Sequence, residues 1–214
     1  MNCPALTITF LGTGTSSGIP MLACQCEVCS SNNSLDKRLR SSIMVQSATT
    51  TIVVDTTPDF RYQMLREKVD KLDAIIFTHP HKDHATCFID IVENYDIEIG
   101  KVYVTVNDEN WYKKYGDGRD EECTKFLNTI KEEKIADKVE EVYLNETFKI
   151  DNINCEILGV KNPEITTNAI NNSSMVIKMN TGKNDILFLG DTGVESGEKL
   201  LKNQSEKLKV DILQ

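Results

Sequence analysis

Residues 73–84 read Asp-Ala-Ile-Ile-Phe-Thr-His-Pro-His-Lys-Asp-His, an apolar run that breaks into a cluster of metal-ligating side chains. The first half, 73–78, has the β-branched and aromatic residues of a buried strand. The second half holds every histidine of the chain, His79, His81 and His84, with Asp83 between the last two. Directly after a strand, alternating side chains point His79 and His81 at one centre. Where the chain turns into a helix, Asp83 and His84 point at a second centre beside it. Imidazole and carboxylate together suit Zn²⁺, Mn²⁺ or Fe²⁺. Two adjacent ions can share a hydroxide, lowering the pKa of the bound water and polarising the oxygen it attacks. In this register HxHxDH reads as a metal centre rather than a histidine-rich surface turn.

The flanking chain supplies sheets to carry it. Residues 7–11 alternate and run into Gly12-Thr-Gly-Thr-Ser-Ser-Gly-Ile-Pro20, predicting a strand and then an irregular segment through Ser34. Residues 43–47 and 50–55 read as paired strands, 58–68 as a short helix and 101–106 as another strand. The clearest helix is 119–134, where Cys123, Phe126, Leu127 and Ile130 form a stripe between charged faces. Residues 148–150 and 153–158 flank Asp151-Asn152, a hairpin turn. Strands at 174–179 and 185–189, a helix at 195–207 and an apolar strand from 210 complete the chain. Sheets covered by helices follow, an α/β layered arrangement. No repeat or linker interrupts 1–214, so a single domain is expected.

Composition excludes other classes. Of 214 residues, 24 are Lys or Arg and 33 Asp or Glu, a net charge of −9. Non-specific nucleic-acid binding needs a basic surface and is not expected. No apolar run approaches a membrane span, and no signal peptide is visible at the N-terminus. Seven cysteines, an odd number, point to reduced thiols and a cytoplasmic location. Three of them, Cys24, Cys26 and Cys29, offer three thiolates on one turn or three buried thiols. The glycine-rich loop fits neither GxGxxG nor a P-loop, because its last spacing is one residue too long and no GK[ST] follows. It reads as a turn near the mouth of the metal centre.

THPHKDH after an apolar strand resembles the metal-binding motif of the metallo-β-lactamase superfamily. The resemblance implies an αββα sandwich with the centre at one edge, between two sheets. It implies that Asp55, ending TIVVD, orients the histidine loop, and that Asp191, in FLGDT, bridges two metals. Residues 6–84, with LGTGTSSGIPMLACQCEVC, RLRSS and VVDTTPDFR, resemble the branch containing the cyclic phosphodiesterase of phosphonate catabolism. There the three cysteines, in a segment at about 19–34, hold a structural zinc. Residues 85–214, with NNSSMVIKM and ILFLGDTGVESGEKLL, resemble competence-type hydrolase domains.

The resemblance also exposes what is short. A complete centre of this kind has one further histidine on each metal, and none exists after His84. The stretch Asn168 to Ser173 lies where a third ligand would arise, but amide and hydroxyl oxygens are weak zinc ligands. The late histidine that completes the cysteine site in that branch is also missing, and Cys3 is the residue that could substitute for it. The chain stops within an apolar strand, so C-terminal ligands and an element of the fold are expected to be absent.

The implied function is a metal-dependent phosphodiesterase, with Zn²⁺ or Mn²⁺ in one or two sites. It would act on a small cyclic or nucleotide-like phosphoester through a metal-bound hydroxide positioned by Asp83 and Asp191. Arg40 and Arg61 are the candidate phosphate contacts. The alternatives are a competence-type nuclease-like hydrolase and a metal-binding domain impaired in catalysis. No feature sets the oligomeric state, and a homodimer stays open.

Overall fold

Alternation along the strands sends side chains to two different cores, and the architecture follows from that. The computed structural model describes residues 6–95 and 97–214. Six strands form the first sheet in chain order: β1 (Thr7–Gly12), β2 (Ser42–Gln46), β3 (Thr51–Val54), β4 (Lys71–Ile76), β5 (Glu98–Val104) and β6 (Val139–Glu141). β1 to β3 are antiparallel and β3 to β6 parallel. The second sheet runs β11 (Ile212–Leu213), β10 (Asp185–Phe188), β9 (Val176–Asn180), β8 (Ile153–Gly159), β7 (Thr147–Ile150). Its pairs are antiparallel apart from β10 with β11.

Ile43, Val45, Ile52, Val54, Ala74 and Ile76 of the first sheet meet Ile153, Cys155, Ile157, Ile177, Ile186 and Phe188 of the second, making the core between the sheets. The alternate residues Met44, Val53, Ile75, Val102 and Val104 face outward to helices. After the short α1 (Glu27–Ser30), which lies outside this core, those helices are α2 (Phe60–Glu67), α3 (Lys82–Asn94), α4 (Glu109–Tyr115) and α5 (Asp120–Thr129). Phe77 anchors this outer core, its ring 4.9 Å from that of Phe88 and 5.0 Å from that of Phe126. Leu158, Val176 and Leu187 meet Leu200 of α6 (Val194–Gln204) on the far side of the second sheet. A fully buried aliphatic or aromatic side chain contributes about 1.5–3 kcal/mol. These three apolar layers therefore hold four layers of structure together, the expected αββα sandwich.

The sequence reading differs most at α5 and α4. The helix expected over 119–134 ends at Thr129, and 130–138 turns back to feed β6. Ile130 and Ile135 are both buried in the outer core. Five residues apart they would point about 140° from each other on a continuous helix, so the chain bends to bury both. The seven residues of α4 are too few for a periodic stripe. They are set by Asp108, whose Oδ1 accepts the N–H of Trp111 at 2.9 Å, and by burial of Trp111 and Tyr112. No helix among the described residues is long and apolar enough to cross a membrane.

The parallel arrangement positions the site. β3 and β4 end side by side, where Asp55 N–H donates to Ile76 O at 2.9 Å. β10, in the other sheet, leads to the same edge through Gly190 and Asp191. Met175 N–H donates to Thr78 O at 2.7 Å and ties the two sheets together there. Gly190 has φ +57, and a Cβ on it would lie 2.7 Å from Thr78 Cβ. Only glycine lets the Asp191 loop approach so closely.

Candidate metal centre

Every donor at the centre lies in the chain that follows the C-terminal end of β4 or β10. After β4, His79 Nε2 and His81 Nδ1 face each other at 3.0 Å. His81 is the N-cap of α3, so Asp83 and His84 lie in its first turn. His84 Nε2 stands 3.6 Å from Asp83 Oδ2. Asp191 reaches both pairs, with Oδ2 4.0 Å from His79 Nε2 and Oδ1 3.5 Å from His84 Nε2. The donor atoms thus fall into two groups, His79 with His81 and Asp83 with His84, and Asp191 presents one oxygen to each. One ligand atom each from His79, His84 and Asp191 fall within 4.8 Å of one another.

A buried set of supports aims these rings. Asp55, 3% exposed and at φ 63, accepts the Thr78 N–H on Oδ1 at 2.9 Å and the Thr78 hydroxyl on Oδ2 at 2.8 Å. The same Oδ2 lies 2.7 Å from His84 Nδ1. With that nitrogen protonated toward Asp55, Nε2 is left facing the centre. His79 Nδ1 sits 3.1 Å from Thr78 Oγ1 and 3.4 Å from Ser174 Oγ, which turns its Nε2 inward in the same way.

The electrostatics separate the three imidazoles. Burial pushes His79 well below its ordinary pKa, and the charges of His84, His81 and Arg119 act in the same direction. Burial, then Arg119, takes His81 down to about 4. Burial also opposes charge on His84, but Asp55 and Asp191 outweigh it and raise its pKa to about 11. The hydrogen bond from His84 holds Asp191 below the usual carboxylate range, against its burial. Two buried neutral imidazoles, two carboxylates and a third imidazole fit a divalent borderline or hard cation. The proton on His84 is the positive charge such an ion would displace.

Other sequence candidates are placed differently. Asn172 is fully buried, and its side chain is committed to Thr167 O, Glu195 and Ser196, fastening the start of α6. It has no coordination left for a metal. Ser173 Oγ likewise accepts from Asn107 and from the Asn162 N–H, and Asn168 is exposed. Asn171 lines the cleft over the centre, with its Oδ1 buried and unpartnered. Arg40 is not a free phosphate contact: its guanidinium pairs with Asp59 at 3.1 Å and donates to Ser16 O at 2.7 Å. Arg61 is exposed on α2 and does not line the cleft. The glycine-rich loop does lie at the mouth, where Gly14, Thr15 and Ser16 share a depression with Asp83, His84 and Asp191.

Away from the centre, one sulfur each from Cys24, Cys26 and Cys29 fall within 4.8 Å of one another. Hydrogen bonding from the Cys29 backbone and from the neighbouring thiols holds the Cys26 thiol below its ordinary pKa. The Met21 N–H points at Cys29 Sγ at 3.4 Å. Cys3 lies outside the described residues.

Comparison with known proteins agrees with the fold. The family model for the beta-lactamase superfamily domain matches residues 50–213, and the chain belongs to that superfamily. Its members are metal-dependent hydrolases. A crystal structure of a diphosphatase from the PhnP family is similar at a TM-score of 0.60 and 28% identity, over 86% of this chain and 63% of that one. Zn²⁺-bound PqqB from Methylobacterium extorquens is similar at a TM-score of 0.59 and 19% identity, over 85% of this chain and 64% of that one. An octanoyltransferase of Porphyromonas gingivalis is 47% identical over 75 residues, which is 35% of this chain and 15% of that protein. The chain therefore spans less than two thirds of the length of each of these three relatives.

Proposed function

We propose that this chain is a metal-dependent hydrolase of small phosphoesters, using Zn²⁺ or Mn²⁺. The observation that carries this reading is the sharing of Asp191 between two donor groups at the floor of one open cleft. His79, His81 and one oxygen of Asp191 would hold one ion, and Asp83, His84 and the other oxygen a second. A bound divalent ion supplies Lewis acidity at the scissile oxygen and lowers the pKa of water. The chain's own residues do the rest. Asp55 and Thr78 hold the histidine rings so that little reorganisation is needed on binding. Ser16, Ser17 and Asn171 bring polar atoms to the cleft wall. The phosphoester preference is supported by the 28%-identical diphosphatase and by the cationic residues Lys82 and Arg119 on that wall. With either metal supplied, the protein cleaves bis(p-nitrophenyl) phosphate faster than nitrocefin. The opposite preference would overturn the substrate class.

The cysteine cluster is proposed as a structural zinc site, separate from the catalytic one. Cys26→Ser then releases about one zinc per chain and lowers the thermal midpoint, because metal-binding energy at such a site is folding energy. Free reaction of all three thiols with a thiol reagent in the native protein would refute it.

A second reading rests on the histidine count. With no third imidazole on either group, the chain would bind metal and turn over poorly. A metal titration separates the two: full rate at one or two ions per cleft supports the enzyme, whereas occupancy without turnover supports a binding domain.

A further inference from the structure

The cleft above the centre has a volume of about 740 Å³ and carries three cationic side chains, Lys82, Arg119 and Lys125. Lys125 is spent on Glu121, 2.9 Å away on the same helix. Arg119 is not spent. In a chain of net charge −9, and directly before Asp120, Glu121 and Glu122, it has no carboxylate oxygen within 4.0 Å among the described residues. Its Nη1 lies instead 3.3 Å from His81 Nε2.

Backbone geometry fixes that placement. The turn joining α4 to α5 has Asp117 at φ 52 and Gly118 at φ +76, and it closes with the Arg119 N–H donating to Gly116 O at 2.8 Å. The turn delivers Arg119 to the N-cap of α5, with its side chain over the cleft. His81 is oriented the other way round. Its Nδ1 faces His79 and the centre, and its Nε2 faces Arg119. The guanidinium is thus one imidazole ring removed from the donor atoms. From the wall of the cleft it can meet an anionic group lying beside one held at the centre. A planar fork of N–H donors without a carboxylate partner matches phosphate oxygens.

We propose that Arg119 determines specificity by binding a second anionic group next to the scissile phosphoryl. Substrates with two adjacent phosphates, phosphoanhydrides or phosphoesters with a neighbouring phosphate, are then favoured over simple diesters. This rests on the phosphoester reading above.

The test compares inorganic pyrophosphate with orthophosphate as ligands of the zinc-loaded protein, by calorimetry, in the parent, Arg119→Ala and Arg119→Lys. Zinc content and circular dichroism are measured on the same samples. The parent binds pyrophosphate more tightly than orthophosphate. In Arg119→Ala the ratio of the two affinities falls by about 10- to 100-fold, the size of a lost charge-assisted pair, at unchanged zinc content. Arg119→Lys recovers part of the ratio, since it keeps the charge and loses the fork. A parent with no preference for pyrophosphate, or an alanine variant that weakens both ligands equally, overturns the proposal. Hydrolysis of bis(p-nitrophenyl) phosphate by the parent separates the two readings. If hydrolysis fails while the pyrophosphate preference depends on Arg119, the catalytic reading falls and the clamp stands. If hydrolysis proceeds and the ratio ignores Arg119, the clamp alone falls.

Discussion

Protein carrying His79→Ala and His81→Ala together loses the metal held by the His79 and His81 group while keeping its fold. His79 Nε2 and His81 Nδ1 supply the paired donors of one group, and His79 also lies 4.0 Å from the shared Asp191. With both imidazoles gone, only Asp191 remains on that side, and a single carboxylate does not hold zinc against water. The fold survives because the apolar layers are built from other residues. The core between the sheets and the outer core under α2 to α5 contain neither histidine. Elemental analysis of the double variant therefore shows the loss of at least one metal per chain, with a native circular dichroism spectrum. Zinc held by the cysteine cluster stays. Identical metal content in variant and parent would exclude this centre as the metal site.

The next largest effect belongs to a residue that touches no metal. Asp55→Asn keeps the volume of the side chain, and asparagine tolerates the left-handed backbone found at φ 63. What changes is charge and donor pattern. Asp55 accepts from the Thr78 N–H, the Thr78 hydroxyl and His84 Nδ1 at once, and an amide, with one acceptor oxygen, cannot replace it on both sides. His84 then loses the partner that fixes its tautomer. Loss of such a supporting carboxylate lowers metal affinity about 10- to 100-fold.

The pH dependence changes with it. In the parent, Asp55 and Asp191 outweigh burial and raise the His84 pKa to about 11. A metal arriving at neutral pH must displace that proton, so apparent affinity climbs about tenfold per pH unit through this group and levels off only above its pKa. Without the Asp55 charge the pKa is lower, and the plateau is reached at lower pH. Calorimetry in two buffers of different ionisation enthalpy reads the released proton directly. A variant with parental affinity and the parental pH slope would show that Asp55 supports the loop but not the ligand.

Strand alternation, the stripe Cys123, Phe126, Leu127 and Ile130, and the Asp151-Asn152 turn are local patterns. Burial of one face leaves them in the chain itself, so an α/β layered fold was legible, and the αββα order came from the resemblance to the metallo-β-lactamase superfamily. HxHxDH was legible for the same reason, because four chemically specific residues lie within six positions. Distance in sequence hid the rest. The separation of 29 positions between Asp55 and His84 closes only because β3 and β4 run parallel, and Asp191 arrives from the other sheet. Only the resemblance to a known family pointed to those two. Nothing local marks Arg119 as a partner of His81: an arginine before an acidic helix start looks like solvated surface. Nor could composition reveal that Arg40 is occupied by Asp59, or that Asn172 serves α6. Hydrophobic periodicity records which face of an element is buried. Which polar groups meet is decided by sheet order and by turns such as 116–119, and those exist only once the layers have packed.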